Sequence, residues 1–218
     1  THPRAAELTR LDIGNPDPDL LPDRLWNAFS EASERGSRDK RFNLAYPADE
    51  WQGDPNLRQE IAHLYKHSTG HEVDPNNVVI TAGAMHSMEL ALQLLRPKIC
   101  DRPVALLTPY FSCTKDQITN VLKGKKLALP RSIDEAIKIH PSLVVASSPG
   151  NPSGALLTNE ELRRLRITPT IVDETYLSMR PEDYKTSILA HNTNSGISLG
   201  SLTKIYGLAG RRGHGYLI

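Results

Sequence analysis

Cysteine is nearly absent from this sequence: Cys100 and Cys113 are the two thiols among 218 residues. Two lone thiols build neither a disulfide framework nor a zinc-ligand set, so no metal site is expected. Missing too is any apolar run near the roughly 20 residues that span a bilayer, which excludes a membrane partner from the expectations. The opening "THPRAAELTRLD" lacks the apolar stretch of a signal peptide. Charge of one sign is not in excess, since Lys and Arg total 26 against 25 for Asp and Glu, a formal net charge of +1. No strong field would therefore recruit nucleic acid. Internal repeats and low-complexity segments are lacking as well. These absences leave a cytoplasmic enzyme as the expectation. Hydrophobic residues at 39% and charged residues at 23% fit an ordinary globular domain, long enough for one sizeable core.

What is present is an alternation of elements. Residues 1–45 read as an arm and a helix, and 46–218 as the main domain. "GNPDPDLLPD" is rich in turn residues. "RLWNAFSEASERG" then puts Leu25, Ala28, Phe29 and Ala32 on one helical face, with Gly36 as the expected stop. "NLRQEIAHLYKHSTG" predicts a second helix, with Leu57, Ile61, Leu64 and Tyr65 as its stripe and Gly70 as its end. Short β-branched runs follow at Val78–Thr81, Val104–Leu107, Leu127–Leu129, Leu143–Ala146, Thr170–Val172, Ile197–Leu199 and Tyr216–Ile218. Helical stretches fill most gaps: "MHSMELALQLL", "CTKDQITNVL", "SIDEAIKI" and "NEELRRL". The fold class expected is α/β, a seven-stranded mostly parallel sheet with helices on both faces. Ligands in such sheets gather at the carboxyl ends of the strands, so the loops after the strands are where chemistry is sought.

After the first strand, Gly83 and Ala84 precede a helix whose free N–H groups suit an anion such as phosphate. A tight turn has the same look. After the second, "TPYFSC" offers Tyr110 or Phe111 to stack on a planar ligand, and an aromatic there also suits a core. After the fourth, "SSPGNPSGALLTNEEL" makes a rigid loop around Asn151, with Thr158 or Asn159 capping the next helix. After the fifth, "IVDETY" ends an apolar strand on Asp173. A buried carboxylate needs a cation or strong donors, and Tyr176 can present a phenol to the same pocket. The plainer reading is an aspartate capping a turn. After the sixth, "SLTKIYGLAGRR" sets Lys204 on a loop among small and hydroxyl residues. Enclosed beside other positive charge, a lysine becomes nucleophilic. The ordinary case is a solvated surface lysine.

In this order, "NPSG", "DETY", "SLTK" and "GLAGRR" resemble the motifs of the class I/II aminotransferase family, the fold-type-I enzymes dependent on pyridoxal 5'-phosphate (PLP). The resemblance runs from about Gly14 to the last residue, and the family's large domain also has a seven-stranded sheet. It implies that Lys204 forms a Schiff base with PLP and later moves a proton between the substrate α-carbon and the cofactor. It implies that Asp173 pairs with the pyridinium nitrogen, while Asn151 and Tyr176 hydrogen-bond the ring's phenolic oxygen. Phe111, two residues after Pro109, becomes the stacking aromatic. Ser201, Arg212 and the backbone of Gly83, Ala84 and Met85 would hold the phosphate, Arg212 through charge-assisted bonds. Tyr46, in "NLAYP", resembles the tyrosine that reaches the neighbouring subunit's phosphate, which implies a homodimer with shared active sites. Gly14, in "DIGNPD", resembles the segment lying over the substrate, with Asn151 as a further substrate contact.

Departures from the family pattern are few. Met85 stands where a polar side chain is frequent, and Thr114 where a second tyrosine is common. Family members continue into a smaller C-terminal domain that supplies the arginine for the substrate carboxylate. That domain is expected to be absent from these 218 residues, and none of them is assigned the arginine's role. The function implied is an aminotransferase moving an amino group between an amino acid and a 2-oxo acid. The same cofactor residues leave open a PLP-dependent lyase, decarboxylase or cyclising synthase, or a non-catalytic aminotransferase-like domain.

Overall fold

The structure, a computed structural model, describes residues 22–39, 51–192, 194–207 and 214–218. It divides into two compact units, Thr1–Asp49 and Glu50–Ile218. In the first, α1 spans Asp23–Arg38. It continues through Gly36, where the sequence suggested a stop. One glycine near a helix end costs only about 1 kcal/mol relative to alanine. Asp23 in the first turn and Arg35 and Arg38 in the last oppose that loss by complementing the helix dipole. Phe29, from the predicted apolar face, stacks with Trp26, a residue outside that predicted set; the ring centroids are 6.1 Å apart.

The second unit opens with α2, Pro55–Thr69, which starts and stops on local chemistry. Asp54 accepts a hydrogen bond from the Leu57 N–H at 2.9 Å, Pro55 occupies the first turn, and Gly70 closes the helix. Seven strands follow: β1 (Val79–Thr81), β2 (Val104–Leu106), β3 (Leu127–Ala128), β4 (Leu143–Ser147), β5 (Thr170–Asp173), β6 (Gly196–Ser201) and β7 (Gly215–Leu217). The helices between them are α3 (Ala84–Leu95), α4 (Ser112–Val121), α5 (Ile133–Lys138), α6 (Asn159–Arg164) and α7 (Leu202–Ile205). All form one sheet in the order β1-β7-β6-β5-β4-β2-β3. β2 to β6 pair in parallel, and β7 runs antiparallel to both of its neighbours, β1 and β6. The mostly parallel α/β fold expected from the alternation is therefore the fold observed.

Strand alternation divides the interior into two cores. Val104, Leu106, Leu143, Val145, Ile171 and Leu199 face α3 and α4, where Met88, Leu92, Leu95 and Ile118 cover them. The intervening Ala105, Val144, Ala146 and Val172 face the other way, under Tyr65 of α2, Ile133 of α5 and Leu162 of α6. Strands buried on both faces need apolar residues at every position, which is why their sequences read as continuous runs. Among the described residues no helix is long and apolar enough to cross a membrane.

The direction of β7 matters for the site. Because it is antiparallel, its first residue, Gly215, pairs with the last residues of β1 and β6, Thr81 and Ser201. A Cβ on Gly215 would stand 2.4 Å from the Gly83 carbonyl carbon and 2.6 Å from the Ala84 nitrogen. Both are backbone atoms and cannot swing aside. Gly215→Ala is expected to destabilise the chain by roughly 1–3 kcal/mol through overpacking, and to weaken anion binding at the displaced turn. A denaturant melt with an unchanged midpoint would contradict this.

Candidate active site

The carboxyl ends of the strands enclose a cavity of about 370 Å³. One wall is the start of α3. Gly83 caps this helix at φ 99°, ψ 164°, a conformation open to glycine but strained for other residues. The Gly83 carbonyl accepts from the His86 and Ser87 N–H groups at 3.0 and 3.1 Å. Thr81 Oγ1 donates to the same carbonyl at 3.1 Å and bonds Ser87 Oγ at 2.7 Å. The first-turn N–H groups of Ala84 and Met85 have no backbone acceptor among the described residues, and both residues line the cavity. The Met85 carbonyl accepts from Gln117 Nε2 at 2.7 Å, which ties this turn to α4.

The opposite wall comes from β4, β5 and β6. Register places Ser147 beside Asp173, and Asp173 beside Leu199. Asp173 ends β5 on the side of Ile171, against the cavity. Its Oδ1 accepts from the Thr175 N–H at 3.0 Å and from Thr175 Oγ1 at 2.6 Å. Its Oδ2 takes no hydrogen bond from the described residues. Burial raises the Asp173 pKa above the ordinary aspartate range, and the Thr175 bonds oppose that rise. Asn151 Nδ2 donates to the Tyr176 phenol oxygen at 3.3 Å. That leaves the phenol O–H free to donate into the cavity. Burial, followed by the nearby Asp173 charge, raises the Tyr176 pKa and keeps the phenol protonated.

The structure brings Gly83, Ala84, Met85, Phe111, Asn151, Asp173, Tyr176, Ser201 and Lys204 to this one cavity. Gly14, Tyr46 and Arg212 lie outside the described residues. Between the two candidate aromatics, Phe111 lines the cavity and Tyr110 packs against the core. Thr158 rather than Asn159 caps α6, with its hydroxyl accepting from the Glu161 N–H at 3.2 Å in a full capping box. One local expectation is corrected. The sequence suggests a loop at Lys204, but the residue stands on α7, a single turn from Leu202 to Ile205. The antiparallel return of β7 holds that turn, with the Leu202 N–H donating to the His214 carbonyl at 3.0 Å. No amphipathic stripe can announce a four-residue helix.

Sequence reasoning passed over several lining residues, among them Thr175, Thr203 and Gln117. Thr175 had a legible signal: a hydroxyl two residues after an aspartate suits a local side-chain turn. Gln117 had none, because its role depends on α4 lying beside α3.

The profile of the family described as aminotransferase class I and II matches residues 6–218. The chain belongs to that family. It is 27% identical over 170 residues to a probable aspartate aminotransferase of Methanocaldococcus jannaschii, covering 73% of this chain and 42% of that one. With a (5-formylfuran-3-yl)methyl phosphate transaminase of the same organism it shares 26% identity over 220 residues, 97% of this chain and 56% of the relative. A crystal structure of an aminotransferase from Mycobacterium tuberculosis superposes with a TM-score of 0.75 at 25% identity, over 98% of this chain and 60% of that one. The chain thus spans about half the length of the curated relatives it matches.

Proposed function

We propose that this chain carries the cofactor half of a PLP-dependent aminotransferase, which moves an amino group between an amino acid and a 2-oxo acid. The observation that carries the reading is the convergence of Lys204, Asp173, Asn151, Tyr176 and Ser201 on one cavity that also receives the free N–H groups of α3. These groups suit the cofactor. The half-buried carboxylate of Asp173, open at Oδ2 among the described residues, matches a protonated ring nitrogen. The start of α3 with the Ser201 hydroxyl matches a phosphate, and the exposed face of Phe111 matches a flat ring. When bound, PLP supplies an electron sink for charge developing at the substrate α-carbon.

The chain's own residues do the rest. Asp173 would keep the ring nitrogen protonated by pairing with it, which would also offset the desolvation of its carboxylate. Tyr176 and Asn151 donate to the ring oxygen. Lys204 would hold the cofactor through its amine, and that same amine lines the cavity where a proton at a substrate α-carbon would have to be moved. Named in full, the proposal is a cytoplasmic homodimer acting on small amino and 2-oxo acids.

The test loads the full chain with PLP and mixes it with amino donors in the absence of an acceptor. The expected result is conversion of the bound cofactor to its pyridoxamine form, reversed by a 2-oxo acid. Release of ammonia or carbon dioxide without an acceptor, or no spectral change with any donor, would overturn the reading.

A further inference from the structure

A buried ion pair lies outside the cavity, on the opposite face of β5. Alternation sends Asp173 to the cavity and the next residue, Glu174, to the other side, where it is 1% exposed. Glu174 Oε1 accepts from Arg180 Nη2 at 2.6 Å, and the two side chains are 1% and 3% exposed. Glu174 Oε2 accepts from the Tyr65 phenol at 2.9 Å and from the Ser198 hydroxyl. Arg180 also donates from Nη1 to the Thr186 carbonyl at 3.0 Å and from Nη2 to the Ser148 carbonyl. Its buried Nε has no partner among the described residues.

Stability alone does not account for this arrangement. A buried pair can often be replaced by apolar residues without loss, and here one guanidinium donor has no partner among the described residues. What the pair does reach is informative. Ser148 lies three residues before Asn151. Glu174 sits between Asp173 and Tyr176. Ser198 lies on β6, three residues before Ser201 and six before Lys204. The pair therefore ties together, beneath the cavity, the three segments that carry its polar side chains. Neither member lines the cavity itself.

We propose that Glu174 and Arg180 form a positioning pair that sets the approach of Asn151 to Tyr176, and so the hydrogen bonding offered to the ring oxygen of a bound cofactor. The proposal rests on the PLP reading above. The Asn151–Tyr176 bond is 3.3 Å long, near the limit at which alignment still matters, so small loop shifts weaken it. Arg180 suits this task where lysine does not, because its planar fork serves Ser148 and Glu174 from Nη2 and Thr186 from Nη1 of one rigid group.

The test uses the full chain loaded with PLP, as wild type, Arg180→Lys, Asn151→Ala and the combined Asn151→Ala/Arg180→Lys variant. The Glu174→Gln/Arg180→Met variant removes both charges together. Its glutamine oxygen can still accept from Tyr65 and Ser198. The readout is the pH midpoint of the visible absorbance of the lysine–cofactor linkage. Donors to the ring oxygen withdraw the negative charge that stabilises the protonated linkage, so losing them raises the midpoint. Arg180→Lys is expected to bind PLP and to shift the midpoint upward by about one unit, the scale of one charge-assisted hydrogen bond. The turnover number is expected to fall about tenfold while the donor KM stays within about twofold. Asn151→Ala shifts the midpoint in the same direction, and the combined variant adds no more, because both act on one bond. Unchanged midpoints in folded, PLP-loaded variants would overturn the proposal, as would shifts that simply add. Should the double-charge variant fail to fold, Arg180→Lys still decides. A wild-type chain without a PLP spectrum would overturn the underlying reading, an outcome separate from unshifted variants.

Discussion

Lys204→Ala is expected to remove turnover by about 10⁴-fold or more, since on the proposed reading it deletes both the cofactor's attachment and the proton carrier. Among the lysines of the described residues, Lys204 alone lines the cavity. Several others are engaged elsewhere: Lys185 donates to the His67 carbonyl, Lys98 to the Asn194 carbonyl, and Lys66 pairs with Glu72. The turn that carries Lys204 follows β6 directly, and the His214 carbonyl accepts from its Leu202 N–H. The measurement is borohydride reduction of the PLP-loaded full chain followed by peptide mapping. Wild type should carry the adduct on the peptide containing Lys204, and the variant should carry none. An adduct of undiminished yield on another lysine would show that the cofactor attaches elsewhere.

Asp173→Asn should have two effects of opposite sign. Turnover is expected to fall by roughly 10³-fold, the scale of removing one electrostatic contact with developing charge. Stability of the cofactor-free chain should rise. The sign follows from linkage. Burial holds the folded pKa of Asp173 above its unfolded value, so the folded state binds the proton more tightly. The cofactor-free chain then loses stability as pH rises from the ordinary aspartate range through the raised folded pKa. Asparagine has no proton to lose and removes that decline. Loading PLP should reverse the order, because the wild-type carboxylate gains a cationic partner that asparagine cannot pair with. Unfolding in denaturant, across mildly acid to neutral pH and with or without PLP, checks this. A cofactor-free variant whose pH profile parallels the wild type would refute it.

Much of the site was legible because its signals are local. Asp173 and Tyr176 stand three residues apart after an apolar run. Asn151 sits among turn residues, and Gly83 precedes a helix. Each pattern reports its own chain neighbourhood, and the strand ends then collect them in one place. Glu174 was not legible in this way. It adjoins Asp173 with the same charge, yet the pleat points it to the opposite core. Its partner Tyr65 lies 109 residues away. Arg180, six residues on, reads as an ordinary surface arginine until the loop closes over it.

By itself the sequence determined seven strands, the four longer helices between them and the residues that follow each strand end. Those features arise from β-branched runs, apolar periodicity and turn chemistry, which act over a few residues. Only the tertiary structure decided that β7 returns antiparallel and sets Gly215 under the Gly83 turn, that Lys204 rides a single helical turn, and that Glu174 and Arg180 meet beneath three segments of the site. The physical reason is that register, strand direction and facing are set by contacts between segments far apart in the chain. No local preference encodes which distant neighbour a side chain will meet.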